Sequence, residues 1–333
     1  MAAEETERLT LVESVNSALH DAMADDDRVV VMGEDVGVNG GVFRATEGLY
    51  EAFGDDRVID TPLAESGIVG TAIGMSFFGV RPVAEIQFMG FIYPAVDQIL
   101  SHAARVRSRT RGRFTAEMVV RAPYGGGIHS PESHSESTEA IFTHYPGLKV
   151  VVPSTPHDAK GLLTAAIREP DPVVFLEPKK IYRSFREAVP TDAYEVPLGE
   201  AAVRREGADV SVFTWGAMTR PTLEAARQLE GEVDVEVVDL RTLSPLDREA
   251  VVASAKKTGR AVVVHEAPKT GGLAAELTTS IQEEAFLYLE APVERVTGWD
   301  VPYPFPDLER YYMVNVARIV DGIRTTAEFP QFA

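Results

Sequence analysis

The chain of 333 residues contains no cysteine, which excludes disulfides, thiolate nucleophiles, iron–sulfur clusters and cysteine-type zinc sites together. Lysine is also scarce: seven stand beside 25 arginines, against 51 acidic residues, for a formal net charge of −19. A nucleic-acid groove needs a basic surface that releases counterions, so that class of partner is disfavoured. No apolar run reaches the ~18 to 20 residues of a membrane span; the longest weakly polar stretch is 67–80. The amino-terminal stretch MAAEETERLTLVESV lacks the apolar core of a secretory signal, and the expectation is a cytoplasmic protein. Several common motifs are missing too. No Gly-x-Gly-x-x-Gly follows a strand, and Walker, Gly-x-Ser-x-Gly and His-Glu-x-x-His sequences are absent, which removes support from the usual nucleotide, hydrolase and zinc-protease readings.

What is present begins with enough apolar residues, 45%, to fill a sizeable core, and a length that suits two domains. The acidic residues are spread along the chain rather than gathered in a tail, which reads as a solvating surface. Such a surface suits a salt-rich, halophilic cytoplasm where self-repulsion is screened; a GC-rich genome favouring Arg over Lys is the other explanation.

Short β-branched runs at Val29–Met32, Val58-Ile59, 82–88, Met118–Val120, Val150–Val152 and Val173–Leu176 alternate with helical patterns at Leu9–Met23, 67–78, Tyr93–Val106 and Ala159–Ile167. The alternation predicts βα units and a mostly parallel sheet. After a polar, proline-bearing stretch at 183–197, the pattern restarts with strands at Val210–Thr214, 233–239, 261–265 and 293–296 and helices at 222–229, 248–258 and 273–284. The expectation is an α/β protein of two parallel-sheet domains, 1–185 and 201–333, joined by a linker at 186–200.

Parallel sheets bind ligands at the carboxyl ends of their strands, so the strand-to-helix loops are where chemistry is sought. Gly33-Glu34-Asp35-Val36 offers two carboxylates, for which plain solvation is the ordinary explanation. In Asp60-Thr61-Pro62-Leu63-Ala64-Glu65, Glu65 stands at the mouth of a small-residue helix, where the helix dipole favours its anion and apolar neighbours favour its acid. Glu85-Ile86-Gln87-Phe88, followed by Phe91, could hold a planar heterocycle, although core packing explains the aromatics equally well. The loop 125–137 combines three glycines with His129 and His134, credible proton-transfer groups. A metal reading of His129, Glu132, His134 and Glu136 fits less well, since nothing fixes them on one face. Arg105, Arg107, Arg109, Arg111 and Arg113 alternate through a turn-like segment and read as salt-bridge or interface residues.

Taken in order, these segments, with Pro146–Val151, Asp158–Leu162 and Val238-Asp239-Leu240-Arg241-Thr242, resemble over nearly the whole chain the β subunit of the E1 component of 2-oxo acid dehydrogenase complexes. The pyruvate type is nearest, with branched-chain 2-oxo acid and acetoin dehydrogenase β subunits as relatives. The resemblance implies a transketolase-like pyrimidine-binding domain followed by a transketolase-type carboxyl-terminal domain. It further implies thiamine diphosphate as cofactor, with Mg2+ and the diphosphate held by a Gly-Asp-Gly motif of an α subunit. This chain has no Gly-Asp-Gly, so an α2β2 heterotetramer is expected.

Carried over by position, Glu65 would hydrogen-bond N1′ of the aminopyrimidine and promote the tautomer that removes the thiazolium C2 proton. Leu63, Gln87 and Phe91 would surround the pyrimidine, and Glu34 would lie in the polar network behind Glu65. His134 would handle the acyl group on its way to the lipoyl group of an E2 acyltransferase, with His129 nearby. The resemblance also places a potassium site near Ala166, Ile167, Glu169 and Asp171. The implied activity is oxidative decarboxylation of a 2-oxo acid, pyruvate first and branched-chain acids second. A non-catalytic scaffold binding E2 and a stand-alone thiamine synthase are the rival readings.

Overall fold

Uninterrupted apolar runs such as Val29–Met32 and Val173–Leu176 are buried on both faces, as central parallel strands must be when helices cover both sides of a sheet. The computed structural model describes residues 5–330. The first four residues of the acidic amino-terminal stretch and the outer ends of the two expected domains lie outside the described residues. In chain order the strands are β1 (Thr6–Leu9), β2 (Val29–Gly33), β3 (Val58–Asp60), β4 (Arg81–Glu85), β5 (Val119–Tyr124), β6 (Lys149–Val151), β7 (Val173–Pro178), β8 (Glu187–Pro190), β9 (Ala202–Arg205), β10 (Val210–Thr214), β11 (Val235–Asp239), β12 (Thr242–Ser244), β13 (Ala261–Pro268) and β14 (Glu294–Gly298).

Two mainly parallel sheets result, the α/β architecture that the alternation of elements predicts. The larger has the order β12-β6-β7-β5-β4-β2-β3 and is parallel except for β12. The smaller, β14-β13-β10-β11-β9, is parallel except for β9. A two-stranded antiparallel pair joins β1 to β8, so the stretch 186–200 carries a strand held against the start of the chain.

Alternation along each strand divides the core into two layers. Val31, Val83, Val119, Val173 and Phe175 face the helices Leu11–Asp25 and Pro156–Arg168, which pack on each other. Met32, Ala84, Val120, Val174 and Leu176 face the helix Glu65–Phe77 and the segment 89–106. Both layers run on into the smaller sheet, through Val212, Val237 and Val264 on one side and Phe213, Val238 and Val263 on the other.

The stretch Tyr93–Val106, expected as one helix, is instead a chain of short turns. A 3-10 turn at Tyr93–Ala95 leads into a π-helical turn at Gln98–His102, then a 3-10 turn at Ala103–Arg105 and an α turn at Val106–Arg109. The Ala104 carbonyl, in the 3-10 turn that follows the widened one, lies against Gly147, so closely that a Cβ there would overlap it; with φ at 98°, Gly147 also adopts a backbone that other residues rarely take. Among the described residues no helix is long and apolar enough to cross a membrane.

Candidate functional site

Because β5, β4, β2 and β3 are adjacent and parallel, the four loops that follow them emerge at one edge of the larger sheet. Each loop is bonded to its neighbour. Asp60, at the end of β3, accepts from the N–H of Gly37 at 2.6 Å, and this close approach leaves no room for a Cβ at Gly37. Across the next gap, Gln87 Nε2 donates to the Asp35 carboxylate at 3.1 Å and to the Glu34 carbonyl at 3.5 Å. The loop after β5 then reaches the loop after β4 through His134, whose ring sits edge-on to Phe88 and Phe91 at centroid distances of 4.4 and 4.9 Å. Ser133 Oγ lies 3.1 Å from His134 Nδ1.

Glu65 is the first residue of its helix, preceded by Ala64, which makes no side-chain cap. Its side chain is half-buried, at a helix start whose first-turn N–H groups have no partner within the helix. Glu34 is buried, and burial first, then the charges of Glu65 and Asp35, raise its pKa. One oxygen of Glu34 is buried without a hydrogen-bond partner. An acid with an unused oxygen, within range of other acids' charges, is a group prepared to share a proton. Leu63 projects into solvent with 79% of its surface exposed, while Gln87, Phe91 and His134 are half-buried. Of the expected site residues, Glu34, Glu65 and Gln87 thus fall on one stretch of the edge, and Phe91 and His134 are in ring contact beside it.

The residues fit a flat, nitrogen-bearing ring approaching from outside this chain: an exposed leucine, an aromatic face, an amide and a carboxylate pair open at one edge. His129 and His134 do not act together. His129 turns away, its Nδ1 3.0 Å from Glu309 of the second sheet's domain, and among the described residues no group of three or more His, Asp or Glu is placed to hold a metal ion.

In the turn expected to take potassium, several polar groups have partners within the chain. The Ile167 carbonyl accepts from Arg81 at 2.8 Å, the Glu169 carboxylate pairs with Lys149 at 2.7 Å, and the Ala166 carbonyl accepts weakly from the Glu169 N–H at 3.3 Å. Asp171 pairs with Arg107 at 2.6 Å, and Arg105 lies over the Tyr145 ring. Of the expected carbonyls, that of Ile167 thus has a guanidinium beside it.

Sequence reasoning missed the role of Phe88 in joining His134 to the Phe43 ring, and the pairing of Tyr93 with Glu136; burial, helped by that carboxylate, pushes the Tyr93 hydroxyl up to about 12. It also missed every contribution of the carboxyl-terminal half, since nothing local marks Glu266 or Glu309 as neighbours of a loop some 140 or more residues earlier.

Two transketolase families match the chain, the pyrimidine binding domain over residues 7–184 and the C-terminal domain over residues 199–319. A solved structure described as a split gene transketolase, inactive beta4 tetramer, superposes with a TM-score of 0.78 at 25% identity, covering 96% of this chain and 99% of that one. The pyruvate dehydrogenase E1 component subunit beta of Bacillus subtilis (strain 168) is 51% identical over 323 residues, covering 97% of this chain and 99% of that protein. The corresponding subunit of Acholeplasma laidlawii is 51% identical over 321 residues, covering 96% and 98%. The chain belongs to the family of pyruvate dehydrogenase E1 β subunits.

Proposed function

We propose that this chain is the β half of a thiamine-diphosphate-dependent pyruvate dehydrogenase E1. With an α subunit it catalyses oxidative decarboxylation of pyruvate and passes the acyl group to the lipoyl group of an E2 acyltransferase. The observation that carries this reading is the paired acid at the sheet edge: Glu65 at a helix start, with buried Glu34 behind it holding one oxygen unpartnered. Identity of 51% to pyruvate-type subunits favours pyruvate over branched-chain acids.

Thiamine diphosphate, when bound, supplies the electron sink that accepts the electrons released as carbon dioxide leaves. Glu65 holds a proton on the pyrimidine ring nitrogen N1′, and Glu34 keeps that proton available through its raised affinity for protons. Leu63 and Phe91 cover the ring, Gln87 fixes its edge, and His134, anchored on Phe88 and Phe91, faces the acyl group. Mg2+ and the diphosphate belong to the α subunit in an α2β2 assembly. The absence of a Gly-Asp-Gly motif from this sequence supports this. A potassium ion at 166–171 would require Arg81 to release the Ile167 carbonyl. The domain limits follow as 1–185 and 201–333, and the cytoplasm is the compartment.

Coexpression with an α subunit tests the reading. The pair should decarboxylate pyruvate only with thiamine diphosphate present, and this chain alone should be inactive. Glu65→Gln in that pair should abolish hydrogen–deuterium exchange at C2 of the bound cofactor. Near-normal exchange would remove Glu65 from its role, and activity of the isolated chain would overturn the shared site.

A further inference from the structure

The glycine-rich loop after β5 has the form of an anion cradle, but its N–H groups are already spent on carboxylates of the other domain. Gly126 N–H donates to Glu266 Oε2 at 3.0 Å, Gly127 N–H to Glu309 Oε1 at 2.8 Å, and His129 N–H to Glu309 Oε2 at 3.1 Å. Glu266 comes from β13 and Glu309 from the helix Glu309–Tyr312, and both are buried. Tyr303 Oη donates to Glu309 Oε1 at 2.7 Å and stands where a Cβ at Gly126 would overlap it; a Cβ at Gly125 would lie 2.7 Å from the Glu266 carboxylate. Gly125 is therefore fitted to the Glu266 carboxylate, Gly126 to Tyr303 and Gly127 to the Lys180 side chain, while the loop's N–H groups are taken by the two carboxylates.

The clamp grips one end of the segment that carries His134. Gly125 N–H donates to the Glu136 carbonyl at 2.8 Å and closes the loop at its base. His129, a non-glycine residue with φ of 58°, is held in that sparsely used conformation by its bonds to Glu309. Five residues on, the short turn Glu132–His134 lays His134 on Phe88 and Phe91, and the Ser133 carbonyl lies so close to Gly90 that a Cβ there would overlap it.

We infer that Glu309, assisted by Glu266, is a positioning residue for acyl transfer: the carboxyl-terminal domain sets the place of His134 by clamping the backbone of the 125–129 turn. This rests on the role proposed above for His134. With the α subunit reconstituted, two rates separate the steps: decarboxylation of pyruvate with ferricyanide as acceptor, and acylation of an isolated lipoyl domain. Glu309→Leu should depress lipoyl acylation about tenfold to a hundredfold more than the ferricyanide rate. Glu309→Gln, which keeps one acceptor oxygen, should recover part of the difference. Hydrogen–deuterium exchange over 125–137 should quicken in Glu309→Leu even in the isolated chain. Equal loss of both rates, or unchanged exchange in that loop, overturns the inference. If the wild-type pair has neither activity, the pyruvate reading fails, and the exchange measurement still decides the clamp. Should the leucine variant not fold, the glutamine variant carries both measurements.

Discussion

Arg121 shows how a single residue supports the site without touching it. Its guanidinium is buried between two acids: Nη1 donates to Glu85 at 2.8 Å, while Nε and Nη2 fork onto Glu177 at 2.6 and 3.0 Å. Tyr182 adds a hydroxyl bond to Glu177 at 2.6 Å. Burial pushes the Glu85 pKa up and the charge of Arg121 opposes it, so the two carboxylates coexist only around that cation. Glu85 ends β4 two residues before Gln87, which places this anchor directly behind the loop that would receive the cofactor. Arg121→Met should cost about 3–5 kcal/mol, the usual penalty for stranding buried charge. Denaturant unfolding measures it, and a loss under about 1 kcal/mol would show that the acids neutralise themselves by taking up protons. Lysine is a poor substitute, because its single ammonium cannot reproduce the fork.

Between elements, the two domains are tied by an ionic knot. Asp158, in the first turn of the helix Pro156–Arg168, pairs with Arg204 of β9 and, at 3.3 Å, with Arg241 just before β12. Arg204 also bonds Asp239 at 2.8 Å. Burial would raise the Asp158 pKa, but the bond from His157 and the two arginine charges outweigh it and bring it down to about 2. At Asp239 burial, with the charge of Asp158, outweighs Arg204, so its pKa is raised and its contribution runs the other way. A depressed acid stabilises the fold above its unfolded pKa of 3.8 and loses that contribution as pH falls through the folded value. Asp158 should therefore contribute about 2 kcal/mol at neutral pH, lost between about pH 4 and pH 2. Asp158→Asn should flatten the acid limb of a stability profile measured by urea unfolding; an unchanged limb would assign acid sensitivity elsewhere.

This knot also marks where the sequence stops being legible. Strands such as Val210–Thr214 and the helix Arg248–Thr258 appear as expected because hydrophobic period and capping are local. So does the strand-end placement of Glu34, Glu65 and Gln87. β12 has no such signal: three residues far along the chain complete the first sheet by pairing antiparallel with β6, and only the folded arrangement supplies their partner. The close approach of Gly147 to Ala104 in the segment 93–106 is of the same kind, since the two lie some forty residues apart in the chain. The clamp on the glycine loop spans about 180 residues and is equally invisible locally.

Across the whole molecule the excess of 19 negative charges has few ways to be offset within the chain. Exposed pairs such as Arg248 with Glu283 and Glu284, or Arg324 with Glu232, contribute little because water screens them, and salt weakens them further. The buried contacts of Arg121 and Asp158 are screened far less. Uncompensated repulsion over the surface is thus the contribution that responds most to ionic strength. Going from about 0.1 to about 1 M KCl shortens the screening length from ~10 to ~3 Å, so the net effect should be a rise in Tm. A basic domain of a partner that docks on so acidic a subunit would meet the opposite effect, because the attraction between the two is screened as well. Thermal unfolding and binding to that domain, both measured across the KCl series, should therefore move in opposite senses. A Tm that falls steadily with salt would mean that the surface pairs outweigh the repulsion, and would remove the salt-rich cell as an explanation of the acidity while leaving recruitment of a basic partner in place.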